Sequence, residues 1–194
     1  AEDTIHLMDN LNINKAHILG ISMGGMIAQE IALNFPNRVN KLVISSSYCG
    51  GSKSVPPSRK VIKILSKPRK GRPIEEIVEE TIPLLYSEDY IQRNPDDISH
   101  IKESMRKYPI SQEAYNKQGK AIFSHNTCRE LKRMEIPTLI LHGGKDELMP
   151  VENARVLDEI IPNSELLIID GGAHELLAQE TKKVLPELIE FLEE

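Results

Sequence analysis

Between Lys15 and Leu33 the chain changes from a short apolar run to an apolar face at helical spacing, and the change falls on Gly20-Ile21-Ser22-Met23-Gly24-Gly25. The residues before it, Lys15-Ala16-His17-Ile18-Leu19-Gly20-Ile21, read as a strand. Those after it, Met26-Ile27-Ala28-Gln29-Glu30-Ile31-Ala32-Leu33, read as a helix with one apolar face. So sharp a turn crowds the backbone. Side chains at positions 20 and 24 are expected to collide there, and glycine removes the collision. A serine flanked by glycines two residues away on each side matches the nucleophile elbow, G-x-S-x-G, in which strained backbone holds Oγ above the strand ends. The helix that follows aims free N–H groups and the positive end of its dipole at the same place, which suits an oxyanion as well as a nucleophile. A glycine-rich turn without chemistry would use the same letters, so the motif has to be weighed with the rest of the chain.

A serine hydroxyl needs an adjacent base, and that base needs an orienting acid. In elbow enzymes the order along the chain is Ser, then Asp or Glu, then His. Ile136–His142 reads as a buried strand running into Gly143-Gly144-Lys145-Asp146, and Ser164–Asp170 as another running into Gly171-Gly172-Ala173-His174. Both loops follow strand C-termini, where open α/β sheets place their ligand sites. Asp146 could instead be a solvated loop acid or cap a helix near Pro150. Glu147 is its rival, and Asp170 a weaker one. His174 could simply precede a final helix over 175–192. His6, His17, His100, His125 and His142 read as structural. No histidine pair has metal-ligand spacing beside a carboxylate cluster, so no metal is expected.

With Gly20–Gly25, Gly143–Pro150 and Gly171–Glu180 in hand, the chain resembles the α/β-hydrolase superfamily. Its Ser-Met-Gly-Gly elbow and helical lid look like the esterase, enol-lactonase and cofactor-free haloperoxidase branch. The resemblance implies Ser22 as nucleophile, His174 as base, Asp146 as its partner and the Met23 backbone N–H as one oxyanion donor. It implies a carboxylic ester, lactone or related acyl substrate, and no cofactor. Two alternatives remain: a haloperoxidase or perhydrolase using the same triad, and a hydrolase-like ligand-binding protein or inactive fragment that retains it. Members of the superfamily carry about four strands before the helix that leads to the elbow, and with them a loop, often containing His-Gly, that supplies the second oxyanion donor. Here Ala1–Leu7 already looks like that helix. The expectation is a fragment or trimmed form of a longer hydrolase, or else a sheet edge that pairs with another chain as a homo-oligomer.

At 194 residues the chain fits a core plus an inserted lid, and 40 % apolar with 27 % charged residues is ordinary for a globular protein. Two cysteines, Cys49 and Cys128, suggest no disulfide framework. Cys49 follows the strand Lys41–Ser45, near the mouth of the expected site, but makes a poor alternative nucleophile because it has neither elbow nor base. No signal peptide or membrane-length apolar run is present, and a cytoplasmic location without membrane association is expected. Residues 53–72 hold eight Lys or Arg and no acid. A basic run can bind nucleic acid, but this one lacks aromatics to stack on bases and the chain carries a net charge of −5. It reads as the solvated face of a lid helix, or more weakly as a face that attracts anionic substrates such as carboxylates.

The expected architecture is a partial α/β-hydrolase fold. Residues 1–49 and 133–194 form the core, with parallel strands near 16–21, 41–45, 138–142 and 165–169 and helices near 3–11, 24–35, 151–160 and 175–192. Residues 50–132 form the lid, with helices over Ile74–Leu85, Asp96–Lys107 and Ser111–Ser124. Tyr48, Tyr86, Tyr90, Tyr108, Tyr115 and Phe123 are its candidate lining.

Overall fold

The computed structural model describes residues 1–194. Four strands, β1 (Ala16–Ile21), β2 (Val39–Ser45), β3 (Thr138–Gly143) and β4 (Ser164–Ile169), lie side by side in chain order, and every neighbouring pair is parallel. Parallel neighbours require crossovers. Helix α2 (Met23–Asn34) links β1 to β2, and helix α8 (Glu152–Ile160) links β3 to β4. A long helical insertion separates β2 from β3. Strand β2 begins at Val39, before the expected position 41, because Val39 is buried and pairs with Ala16. Strand β1 forms one edge of the sheet, with Leu19 42 % exposed there.

Successive residues of a strand point to opposite faces. Leu42, Ile44 and Ile140 therefore meet Ile5 and Met8 of α1 (Glu2–Asn10), Ala28 and Ile31 of α2, and Leu157 and Ile160 of α8. Val43, Leu139 and Leu141 face the other way, onto Leu176 of α9 (Leu176–Gln179) and Val184 and Phe191 of α10 (Thr181–Glu193). Cover on both faces is why β2 and β3 read as unbroken apolar runs. The single final helix expected over 175–192 is two. The Thr181 hydroxyl donates back to the carbonyls of Leu177 (2.6 Å) and Ala178 (3.2 Å). Such bonds compete with the helical ladder and bend it, and the chain breaks at Glu180.

The insertion carries α3 (Arg59–Leu65), α4 (Ile74–Leu85), α5 (Glu88–Arg93), α6 (Pro95–Lys107) and α7 (Gln112–Ser124). Ser58, Ser87 and Ser111 cap α3, α5 and α7 by accepting the N–H of the third residue on. Val78, Ile82, Tyr86 and Ile98 give the insertion a small core of its own. Of the aromatics expected to line a site, Tyr108 and Phe123 instead face solvent at 70 % and 88 % exposure.

Contrary to the expectation from sequence, Cys49 and Cys128 form a disulfide that closes a separation of 79 residues across the base of the insertion. Thr127 N–H donates to the Cys49 carbonyl (2.8 Å), and Gly50 bridges Asn126, so the two Cα atoms come within 4.9 Å. Gly50 has φ 77°, and a Cβ there would lie 1.8 Å from the His125 carbonyl oxygen, so only glycine lets the two segments meet. The bond also removes Cys49 from consideration as a nucleophile. By restricting the unfolded chain, a loop closure of this kind is worth about 2–4 kcal/mol. Urea unfolding with and without reductant is expected to differ by that amount, and coincident curves would contradict it. No helix is long and apolar enough to cross a membrane.

Candidate active site

Strand β1 runs straight into Ser22, whose backbone sits at φ 54°, ψ −119° as the N-cap of α2. A serine in this region costs about 1–3 kcal/mol and persists only when its surroundings dictate it. They do so through hydrogen bonds. Ser22 N–H donates to Ser45 O (2.9 Å), while Ser22 O accepts from Gly25 N–H (2.9 Å), Met26 N–H (3.3 Å) and Ser47 Oγ (2.8 Å). The Ser22 side chain makes no capping bond and is half-buried. The N–H groups of Met23 and Gly24, at the head of α2, find no acceptor within the chain, as first-turn helix donors commonly do not.

The glycines partition differently from the expectation. A Cβ on Gly20 would lie 2.1 Å from Gly24 O, and one on Gly25 would lie 2.6 Å from Ser47 Cβ. Gly24 has nothing within 4 Å of its would-be Cβ, so the collision expected there is absent and Gly25 is the crowded position. Gly20→Ala is accordingly expected to destabilise by about 2–4 kcal/mol. Gly24→Ala, in a helix, should be neutral or stabilising by up to about 1 kcal/mol. Thermal melts of the two variants check this, and equal losses would contradict it.

Beyond β3 and β4, the loops bring two of the expected residues together. His174 Nδ1 lies 2.8 Å from Asp146 Oδ2, with both side chains almost wholly buried. The other carboxylate oxygen, Oδ1, accepts from Leu148 N–H (2.9 Å) and Met149 N–H (2.7 Å). Burial pushes the Asp146 pKa up, but the hydrogen bonds from His142, His174 and Met149 outweigh it and hold the carboxyl below its usual range. Its sequence rivals Glu147 and Asp170 are exposed.

Three participants were not legible as such. His142, expected to be merely structural, is fully buried at the end of β3, with Nε2 2.8 Å from Met149 O and 3.5 Å from Asp146 Oδ2. Its Nδ1 has no partner. The four-residue spacing of His142 and Asp146 was the available signal. Ser46, at φ 49°, donates from Oγ to the His174 carbonyl (2.7 Å), while its neighbour Ser47 holds the Ser22 carbonyl. The end of β2 thus ties the Ser22 turn on one side and the His174 loop on the other, and the run Ser45-Ser46-Ser47 was its only trace in the sequence. The insertion fastens the same loop, because Glu175 N–H donates to Leu85 O at the end of α4 (2.9 Å). His125 lies elsewhere, near Gln29 and Thr127, and burial lowers its pKa against a smaller opposing pull from Glu30. No group of three or more His, Cys, Asp or Glu side chains is placed to hold a metal ion.

A strained serine at a strand-to-helix turn and a buried carboxylate–imidazole pair on the loops two and three strands away are features that can be compared with known proteins. The profile of the family described as serine aminopeptidase, S33, matches residues 3–182. The chain belongs to this hydrolase family. This S33-family chain is 29 % identical over 166 residues to a poly(3-hydroxyalkanoate) depolymerase of Ectopseudomonas oleovorans, covering 86 % of the chain and 57 % of that protein. It is 31 % identical over 166 residues to 2-hydroxy-6-oxononadienedioate/2-hydroxy-6-oxononatrienedioate hydrolase 1 of Pseudomonas putida, covering 82 % and 56 % respectively. The chain therefore spans somewhat more than half the length of these relatives. Its fold superposes on the enol-lactonase of Burkholderia xenovorans LB400 with a TM-score of 0.85 at 21 % identity, over 99 % of this chain and 71 % of that one. The S33-family chain is an α/β hydrolase by fold as well as by sequence.

Proposed function

We propose that this chain carries the catalytic centre of a serine hydrolase acting on a carboxylic ester, lactone or related acyl substrate. The observation that carries the reading is the buried 2.8 Å contact of His174 Nδ1 with Asp146, whose second oxygen is saturated by two backbone N–H groups. An ionised carboxylate so placed fixes the imidazole tautomer, leaving Nε2 as the base. Ser22 Oγ then attacks the acyl carbon while His174 Nε2 takes its proton. The developing oxyanion is met by the Met23 N–H at the head of α2. His174 returns the proton to the leaving group, and water repeats the sequence on the acyl-enzyme. The insertion over 50–132 acts as a lid, excluding water and shaping the pocket. The enzyme names of the relatives, a depolymerase of poly(3-hydroxyalkanoate) and an enol-lactonase, support an acyl substrate.

The test is pre-steady-state hydrolysis of p-nitrophenyl esters of increasing acyl length, with lactones assayed alongside. A burst of one equivalent of p-nitrophenol per chain, followed by slower turnover, is the expected result. Release without a burst, unaffected by His174→Ala, would contradict the acyl-enzyme.

A further inference from the structure

The eight cations between Lys53 and Arg72 are not equivalent. Lys53 pairs with Glu159, Lys67 with Glu80, and Arg72 with both Glu76 (2.8 Å) and Glu80 (2.6 Å). Arg69 and Lys70 have no carboxylate partner, yet they are not simply dispersed in solvent. Together with Arg72 they line a cleft of about 280 Å³ whose remaining wall includes Ile74, Ile77 and Ile110, and no acidic side chain lines it. Glu76 and Glu80 already compensate Arg72, which leaves Arg69 and Lys70 as two neighbouring uncompensated charges at the cleft, and a bound anion relieves the repulsion between them.

The site is built rather than incidental. Gln112 Oε1, in the first turn of α7, accepts the backbone N–H of both Arg69 (2.5 Å) and Lys70 (3.0 Å), and Gln112 Nε2 is itself held by Asn116 (2.7 Å). The Arg69 guanidinium lies over the Tyr115 ring, 4.2 Å from its centroid, and the Tyr115 hydroxyl donates to Leu65 O (2.8 Å). A stacked guanidinium keeps its N–H edge free and fixed in plane, which suits the two oxygens of a carboxylate. Inorganic phosphate would leave the isoleucine wall unused, and a nucleotide would find no aromatic side chain lining the cleft to stack on. A smaller adjoining cavity of about 50 Å³ shares Arg69, Arg72 and Ile77 and extends to Leu148, whose N–H donates to Asp146. Ser22 and His174 line neither space.

We propose that this cleft binds a carboxylic acid with a short apolar chain, at a position separate from Ser22. Carboxylate and chain are the acid half of an ester, so the origin of the ligand, though not the site itself, rests on the hydrolase reading above.

Calorimetric titration of hexanoate into the Ser22→Ala chain tests this without turnover. Saturable one-to-one binding is expected, weakened about tenfold or more in an Arg69→Gln/Lys70→Gln variant. Arg69→Lys, which keeps the charge but loses the fork, should fall between the two and serves if the double variant fails to fold. 1-Hexanol should bind far more weakly than hexanoate. Absence of binding, affinity unchanged in the Arg69 and Lys70 variants, affinity lost instead in His174→Ala, or equal binding of hexanol would each overturn the site. If hexanoate binds as expected while the native chain shows no acyl-enzyme burst, the hydrolase reading falls and this site stands.

Discussion

Replacing Ser22 by alanine is expected to lower ester kcat by about 10⁶-fold, the size of effect seen when the nucleophile of a serine hydrolase is removed. The fold should be unaffected, because the Ser22 side chain caps nothing and the hydrogen bonds that define the turn run through its backbone. A companion variant separates chemistry from strain. Ser22→Gly relieves a φ of 54° and is expected to stabilise the chain by about 1 kcal/mol while abolishing turnover equally. Those two results together would mark Ser22 as a reactive residue held in a strained turn at a cost in stability. Urea midpoints and p-nitrophenyl ester kinetics on the same samples read both quantities. An alanine variant that hydrolyses at the native rate would remove Ser22 from the mechanism. A glycine variant less stable than the native chain would mean that the turn is not strained.

Asp146→Asn carries the second large effect. An amide cannot reproduce an ionised carboxylate at Oδ2, so the imidazole of His174 loses the partner that fixes its tautomer. A loss of about 10⁴-fold in kcat is expected. The same substitution has a signature in stability. The folded-state pKa of Asp146 is depressed, so the ionised group contributes stability that is fully present above its unfolded value of about 3.9. That contribution is lost as pH falls through the lower folded value. The native chain should therefore exceed Asp146→Asn in urea midpoint at neutral pH, and the gap should narrow below about pH 4. Midpoints measured at pH 7 and pH 3 decide it. Two curves that stay parallel would show that Asp146 gains nothing from its partners in the folded state.

The elements that could be read directly from the sequence are those whose signal is local. The elbow announces itself because strand period, glycine spacing and helix period meet within a few residues. The loops carrying Asp146 and His174 follow apolar runs too continuous to be anything but doubly covered strands. Helix α4 was legible to the residue, whereas α5, at six residues, is too short to show a period. What escaped depends on contacts between distant segments. The Cys49–Cys128 bond joins residues 79 apart, and its geometry is set by Gly50 meeting Asn126. Ser46 and Ser47 act through backbone carbonyls on two neighbouring loops, which no pattern of side chains encodes. His142 looked like a strand residue because it is one, and only the fold of its own loop returns Met149 and Asp146 to its ring. The exchange of roles between Gly24 and Gly25 has the same cause. The helix turns Gly25 toward Ser47, just past β2, and of these two glycines the sequence motif names the one that faces open space.

The most direct measurement is the intact mass of the native chain and of Ser22→Ala after exposure to a fluorophosphonate. Phosphonylation requires a serine oxygen activated by its neighbours and an anion site to receive the developing charge. A single adduct on the native chain, absent from Ser22→Ala, is the expected result. An adduct that persists in the variant, or none on a folded native chain, would contradict the assignment of Ser22, His174 and Asp146 as a working catalytic centre.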